Sequence, residues 1–157
     1  MSPEQANGDV ARIDSRSDIY SLGAIGYQLL SDCLPIELGQ LTLVQALKKL
    51  VEEEAQPLGR RDQGLRGDLE TIFAKALRKE PEQRYASALE LADDLRRFLE
   101  HEPIRARKAT TSYVLARFAR RHAWLLAGLA ALFVGLASAL SVSLAATARA
   151  EEALVQE

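Results

Sequence analysis

The chain of 157 residues is poor in the residue types that build closed metal sites and disulfide scaffolds: it has one cysteine and two histidines. The lone Cys33 excludes an internal disulfide and points to a reduced compartment. Cys33, His101 and His122 stand at no metal-ligand spacing from one another or from acids, so they read as structural or bystander residues. No stretch alternates apolar and polar residues for long enough to make a useful strand. A sheet is therefore not expected. The chain also lacks the uniform basic charge of a nucleic-acid binder, since its net charge is −2.

What is present is divided unevenly. Residues 1–100 carry 13 Lys and Arg against 18 Asp and Glu. Residues 101–122 carry six basic side chains, Arg105, Arg107, Lys108, Arg117, Arg120 and Arg121, against Glu102 alone. Residues 123–148 carry no charge, and residues 149–157 are a short acidic tail. This pattern predicts an acidic folded part, a basic juxtamembrane segment, an apolar helix and the start of an extracytoplasmic region.

The run from Ala123 to Ala148 predicts one transmembrane helix. Its 26 residues would reach about 39 Å as a helix, more than the ~30 Å hydrocarbon core, and tilt can absorb the excess. A cleaved signal peptide would lie at the other end of the chain. The basic flank precedes the span, so the positive-inside rule places residues 1–122 in the cytoplasm, at the cell membrane. Trp124, Arg120 and Arg121 are the expected interfacial anchors, with membrane lipid as partner. Ala127, Ala131, Gly135, Ala139 and Ser143 recur every four residues, a small-residue stripe that can support a homodimer. A nucleic-acid role for the basic segment is not expected.

The first hundred residues read as all-α. Apolar residues surround the segment Ser15 to Ser31, which predicts a helix buried on all sides, with Gly23 and Gly26 admitting close neighbours. Thr42 and Gln45 make a T-x-x-Q capping box before Leu43, Val44, Leu47, Leu50 and Val51. Asp68 is expected to cap a helix carrying Leu69, Ile72, Phe73, Ala76 and Leu77, ended by Pro81. Ser87 and Glu90 predict a second capping box, before a helix that Pro103 ends.

Three motifs then occur in order: Met1-Ser2-Pro3-Glu4-Gln5-Ala6, the run Asp14 to Gly23 (DSRSDIYSLG), and Pro81-Glu82-Gln83-Arg84-Tyr85. Together they resemble the carboxy-terminal third of a bacterial, eukaryotic-like serine/threonine protein kinase of receptor type. The resemblance covers roughly residues 1–100 and implies a helical C-lobe fragment followed by one membrane helix. Ser2-Pro3-Glu4 is similar to the A-P-E motif that closes the activation segment, with Ser2 in place of the usual Ala. The resemblance implies that Glu4 pairs with Arg84 in a largely buried ion pair. It also implies that Asp18 holds the backbone of the catalytic loop, and that Tyr20 stands where many relatives have Trp. Taken alone, Glu4 and Arg84 read as solvated charges and Asp18 as a helix cap.

The family's glycine-rich loop, strand lysine, H-R-D loop and D-F-G motif all precede A-P-E, and none occurs in residues 1–157. The resemblance therefore implies no catalytic, cofactor or metal residue here, with ATP and Mg²⁺ bound by a full-length parent that phosphorylates protein substrates. Met1 then reads as an internal methionine of a longer gene product, and the chain by itself as inactive. Two other functions stay open: a short non-catalytic membrane-tethered interaction module, and a lipid-associated structural anchor. Isolated residues 1–104 are expected to be marginal, with apolar surface uncovered between Ile19 and Leu30.

Overall fold

The computed structural model describes the backbone of residues 1–155 apart from Gln40, and side chains through Ser141. Seven α-helices follow one another among these residues: α1 (Pro3–Ala6), α2 (Ser15–Ser31), α3 (Leu43–Glu52), α4 (Asp68–Ala76), α5 (Ala88–Leu99), α6 (Thr111–Arg121) and α7 (Ala123–Val155). Short 3-10 turns at Val10–Arg12, Leu58–Arg60, Gln63–Leu65 and Pro81–Gln83 join them, and no strand occurs among the described residues. The chain divides into two compact units, one from Met1 to Val114 and one from Leu115 onward.

The first unit is assembled around α2. Asp14 caps that helix, its carboxylate accepting the Arg16 amide at 2.7 Å. Ile19 of α2 joins Ile72, Ala76, Tyr85, Leu91 and Ile104 in one buried cluster, and Tyr20 and Tyr27 join Leu58, Phe73 and Leu77 in a second. Both glycines of α2 lie against α4. A Cβ on Gly23 would stand 2.9 Å from the Ala76 Cβ, and one on Gly26 would stand 2.4 Å from Phe73 Cε1. The two helices can pack this closely only because those methyl groups are absent.

The structure departs from the sequence reading at several points. The helix α2 is not buried on all sides: Leu22, Ile25 and Leu29 are 47%, 57% and 78% exposed. They follow one another at helical spacing on the face away from Tyr20 and Tyr27. Asp68 does not cap α4, whose N-cap is Gly67; its carboxylate turns to Arg107 and Tyr113 instead. The helix closes at Ala76, before Pro81 is reached. Ser87 caps α5 by accepting the Glu90 amide, but Glu90 reaches back to the amide of Ala86, so the box is shifted by one residue. The Thr42–Gln45 box forms in full. Finally, the compact unit ends at Val114 rather than at residue 100. The physical reason lies in Asp94 and Asp68, which hold the segment after α5 against the helices.

The second unit holds α7, 33 residues long. Its stretch Ala123–Ser141 is apolar and long enough to cross a membrane. Those 19 residues extend about 28 Å, close to one hydrocarbon thickness. The helix itself runs past the expected end at Ala148 to Val155.

Candidate functional site

The site begins with a short helix and ends 80 residues later. Pro3 opens α1, where its missing N–H costs nothing, and Gln5 Oε1 accepts the Ser2 amide at 2.9 Å. This fixes Glu4 facing inward. The 3-10 turn Pro81–Gln83 delivers Arg84 from the other side, just before α5. Arg84 Nη1 donates to Glu4 Oε1 at 2.9 Å and Nη2 donates to Glu4 Oε2 at 2.8 Å, a bidentate pair whose side chains are 0% and 3% exposed. The remaining guanidinium protons go to backbone carbonyls: Nε to Arg78 at 2.7 Å, Nη1 to Arg16 at 2.9 Å, and Nη2 to Lys79 at 2.8 Å. All five donors of the arginine are thereby used. Ser17 Oγ donates to Glu4 Oε1 at 2.5 Å, and the guanidinium lies over the Tyr20 ring at 5.0 Å.

Electrostatics follow from this geometry. Burial by itself would raise the Glu4 carboxyl, but the hydrogen bonds from Arg84 and Ser17 outweigh it and hold the group at about 2. Tyr20 is pushed up to about 12 by burial, and its hydroxyl has no hydrogen-bond partner among the described residues. Every N–H of the Arg84 guanidinium and both carboxylate oxygens of Glu4 are held by partners, an arrangement that fixes the backbone around it. One arginine ties α1, the head of α2 and the turn before α5 together.

Of the other residues singled out by sequence, Ser2, Pro3 and Gly23 are buried, Ser2 and Pro3 next to Glu4 in the chain and Gly23 against Ala76 and Leu77. Asp18 lies in the first turn of α2, one turn from Asp14, and is exposed. Its carboxylate makes no hydrogen bond among the described residues, and Asp14 performs the capping. Trp124, Arg120, Arg121, Ala127, Ala131, Gly135 and Ala139 are exposed and stand apart from the ion pair in sequence and unit. The backbone of Ser143 is helical, and its side chain lies outside the described residues.

A second polar centre was missed from the sequence. Asp94 is fully buried, and it accepts Tyr85 Oη at 2.9 Å, the Arg105 amide at 2.7 Å and the Ala106 amide at 2.9 Å. Burial and the facing Asp94 carboxylate push the Tyr85 phenol up. Asp68 pairs with Arg107 at 3.2 Å and accepts a short hydrogen bond from Tyr113, whose oxygen in turn accepts the Ile104 amide at 3.1 Å. The legible signal was Asp94 itself, a charge placed on the apolar face formed by Leu91, Leu95 and Phe98.

Comparison with known proteins decides the kinship. The chain is 41% identical over 111 residues to the serine/threonine-protein kinase PknB of Mycobacterium tuberculosis, covering 71% of this chain and 17% of that protein. It is 39% identical over 130 residues to the serine/threonine-protein kinase pkn3 of Myxococcus xanthus, covering 78% of this chain and 23% of that one. A probable serine/threonine-protein kinase of Streptomyces coelicolor is 37% identical over 109 residues, 69% of this chain and 16% of its own length. The chain belongs with the bacterial serine/threonine protein kinases. No protein-family model matches it. It spans about a fifth of the length of these kinases, and its fold is that of a helical C-lobe fragment.

Proposed function

We propose that this chain is the structural end of a membrane-anchored serine/threonine kinase whose parent transfers the γ-phosphate of ATP to protein Ser or Thr. The observation that carries the reading is the buried Glu4–Arg84 pair. It closes an S-P-E segment onto the turn before α5, in a chain about 40% identical to kinases. In this reading Glu4, Arg84 and Asp18 are positioning residues. The pair fixes the end of the activation segment, and the exposed Asp18 is available to accept backbone amides of the catalytic loop. The residues present do not fit ATP or Mg²⁺, because no glycine-rich loop, H-R-D or D-F-G occurs among them. No chemical step is therefore assigned to them.

The apolar stretch Ala123–Ser141 supplies the anchor, with the basic side facing the cytoplasm. A homodimer through Ala127, Ala131, Gly135, Ala139 and Ser143 is part of the proposal; Gly135→Leu should weaken self-association in a membrane reporter assay. The decisive experiment is to sequence the gene upstream of the Met1 codon and express the whole reading frame. Expected are in-frame H-R-D and D-F-G motifs and transfer of labelled phosphate from ATP to Ser/Thr of a protein substrate. An in-frame stop close to Met1, with no such motifs, would overturn the reading in favour of a non-catalytic tethered module.

A further inference from the structure

The basic segment before the apolar helix has a structure of its own. α6 ends at Arg121, a turn follows at His122, whose amide donates to the Phe118 carbonyl at 3.0 Å and whose carbonyl accepts the Leu126 amide at 3.0 Å, and α7 opens at Ala123. Within the second unit, Leu115, Phe118 and Ala119 at the end of α6 and His122 in the turn after it stand at i, i+3, i+4 and i+7, one stripe. Leu115 is 65% exposed and Phe118 55%, and the His122 ring lies 4.6 Å from that of Phe118. Arg120 and Arg121 stand exposed off the stripe, Arg117 is buried, and no acid occurs between Leu115 and Ser141. Arg120 is exposed and makes no ion pair among the described residues. By contrast Arg105 and Arg107 are already engaged, with Asp93 at 3.3 Å and Asp68 at 3.2 Å. The six basic residues are therefore not one uniform collar.

We propose that the end of α6 is an interfacial helix that seats Leu115 and Phe118 in the acyl-chain boundary of an anionic leaflet, with Arg120 on the lipid phosphates. The occupant is argued from continuity and charge. The stripe leads directly into the apolar stretch that starts at Ala123, so whatever surrounds Trp124 and Leu125 also meets His122 and Phe118. An apolar stripe flanked by cations and free of acids fits anionic lipid better than the acidic face of a protein, which would leave the aromatic and leucine side chains in water. The turn at His122 divides the two helices at the proposed boundary. This inference rests on α7 spanning the membrane.

The test uses the full chain with Cys33→Ala, which removes the only native thiol, and one new cysteine at a time: Leu115→Cys, Phe118→Cys, Ala116→Cys or Leu132→Cys. Each is labelled with an environment-sensitive fluorophore and reconstituted into vesicles of phosphatidylcholine, or of equal parts phosphatidylcholine and phosphatidylglycerol. Nitroxide placed on the lipid acyl chains reads contact with hydrocarbon. Labels at positions 115 and 118 should be blue-shifted and quenched in the anionic vesicles, while the label at 116 stays water-exposed. Arg120→Gln should shift the seating equilibrium by about fivefold toward the exposed state. Equal quenching at 115 and 116 overturns the proposal, as does a blue shift at 115 without lipid quenching, which marks cover by protein. If position 132 is quenched and 115 is not, only the interfacial helix fails. If 132 is also unquenched, the membrane span fails with it.

Discussion

At the scale of single residues the molecule turns on one arginine. Arg84→Ala deletes five hydrogen bonds and leaves the Glu4 carboxylate buried without its partner, so it should cost about 3–5 kcal/mol. Arg84→Lys should recover only part of that, because an ammonium cannot match the bidentate fork. Urea unfolding of the full chain in detergent measures both, and an unchanged midpoint for Arg84→Ala would contradict the pairing. The same pair sets an acid limit. Glu4 is held at about 2 against an ordinary value of 4.5, a depressed carboxyl. Its stabilisation is therefore fully present above pH ~4.5 and is lost as pH falls toward 2, with a loss of about 3 kcal/mol. Glu4→Gln should flatten that part of the stability–pH curve, whatever it does at neutral pH. Tyr20 gives a prediction of opposite sign. Its hydroxyl is buried without a hydrogen-bond partner among the described residues, while its ring lies under Arg84. Tyr20→Phe keeps the ring contact and removes the unsatisfied group, so thermal unfolding should be unchanged or raised, by up to about 1 kcal/mol.

At the scale of elements the helices were legible and several of their ends were not. The Thr42–Gln45 box forms as read because both partners lie within one turn; Thr42→Ala should cost about 1 kcal/mol, measured in the same unfolding assay. Asp68 misled because a carboxylate at a helix start serves equally well as a cap or as an ion partner, and its partners Arg107 and Tyr113 lie about 40 residues on. Glu4 and Arg84, 80 residues apart, are invisible to periodicity and were joined only through the resemblance of both motifs to one family. Asp94 was overlooked because a lone charge on an apolar face carries no sign of the amides that will satisfy it. The reading of α2 as wholly buried is the most informative difference. Its sequence is apolar all round, yet Leu22, Ile25 and Leu29 face solvent. The residues encode a neighbour on that side, and in the kinase reading it is the part of the lobe that holds the catalytic loop. The opposite side of α2 is closed by packing: Gly26→Ala would place a methyl 2.4 Å from Phe73 Cε1, so it should cost about 1–3 kcal/mol despite improving helix propensity.

At the scale of the whole molecule, the question is where the folded part stops and its connection to α7 begins. A composition boundary near residue 100 separates the acidic part from the basic one, but the chain keeps folding to Val114. Asp94 explains why. It is buried, and two of its three hydrogen bonds come from the backbone of Arg105 and Ala106; Ile104 fills the cluster around Ile19 and Ile72. Tyr113 completes the fastening by donating to Asp68 and accepting from Ile104. A fragment cut after residue 104 therefore keeps a buried carboxylate and removes most of what satisfies it. Such a loss costs about 1–3 kcal/mol for the unsatisfied group alone, in a fold whose total stability is of the order of 5–15 kcal/mol. Residues 1–114 should accordingly melt several degrees above residues 1–104. Asp94→Ala should destabilise the longer fragment strongly and the shorter one much less, because in the latter the amides that it binds are already gone. Both fragments should still self-associate through Leu22, Ile25 and Leu29, and Ile25→Lys with Leu29→Lys should improve solubility without lowering the melting temperature of either. Equal melting of the two fragments would mean that the segment 105–114 is a passive tether. A difference that disappears with Asp94→Ala would mean that the segment after α5 is held rigidly to the helices, so that force on the chain beyond Val114 reaches α4 and α5 directly.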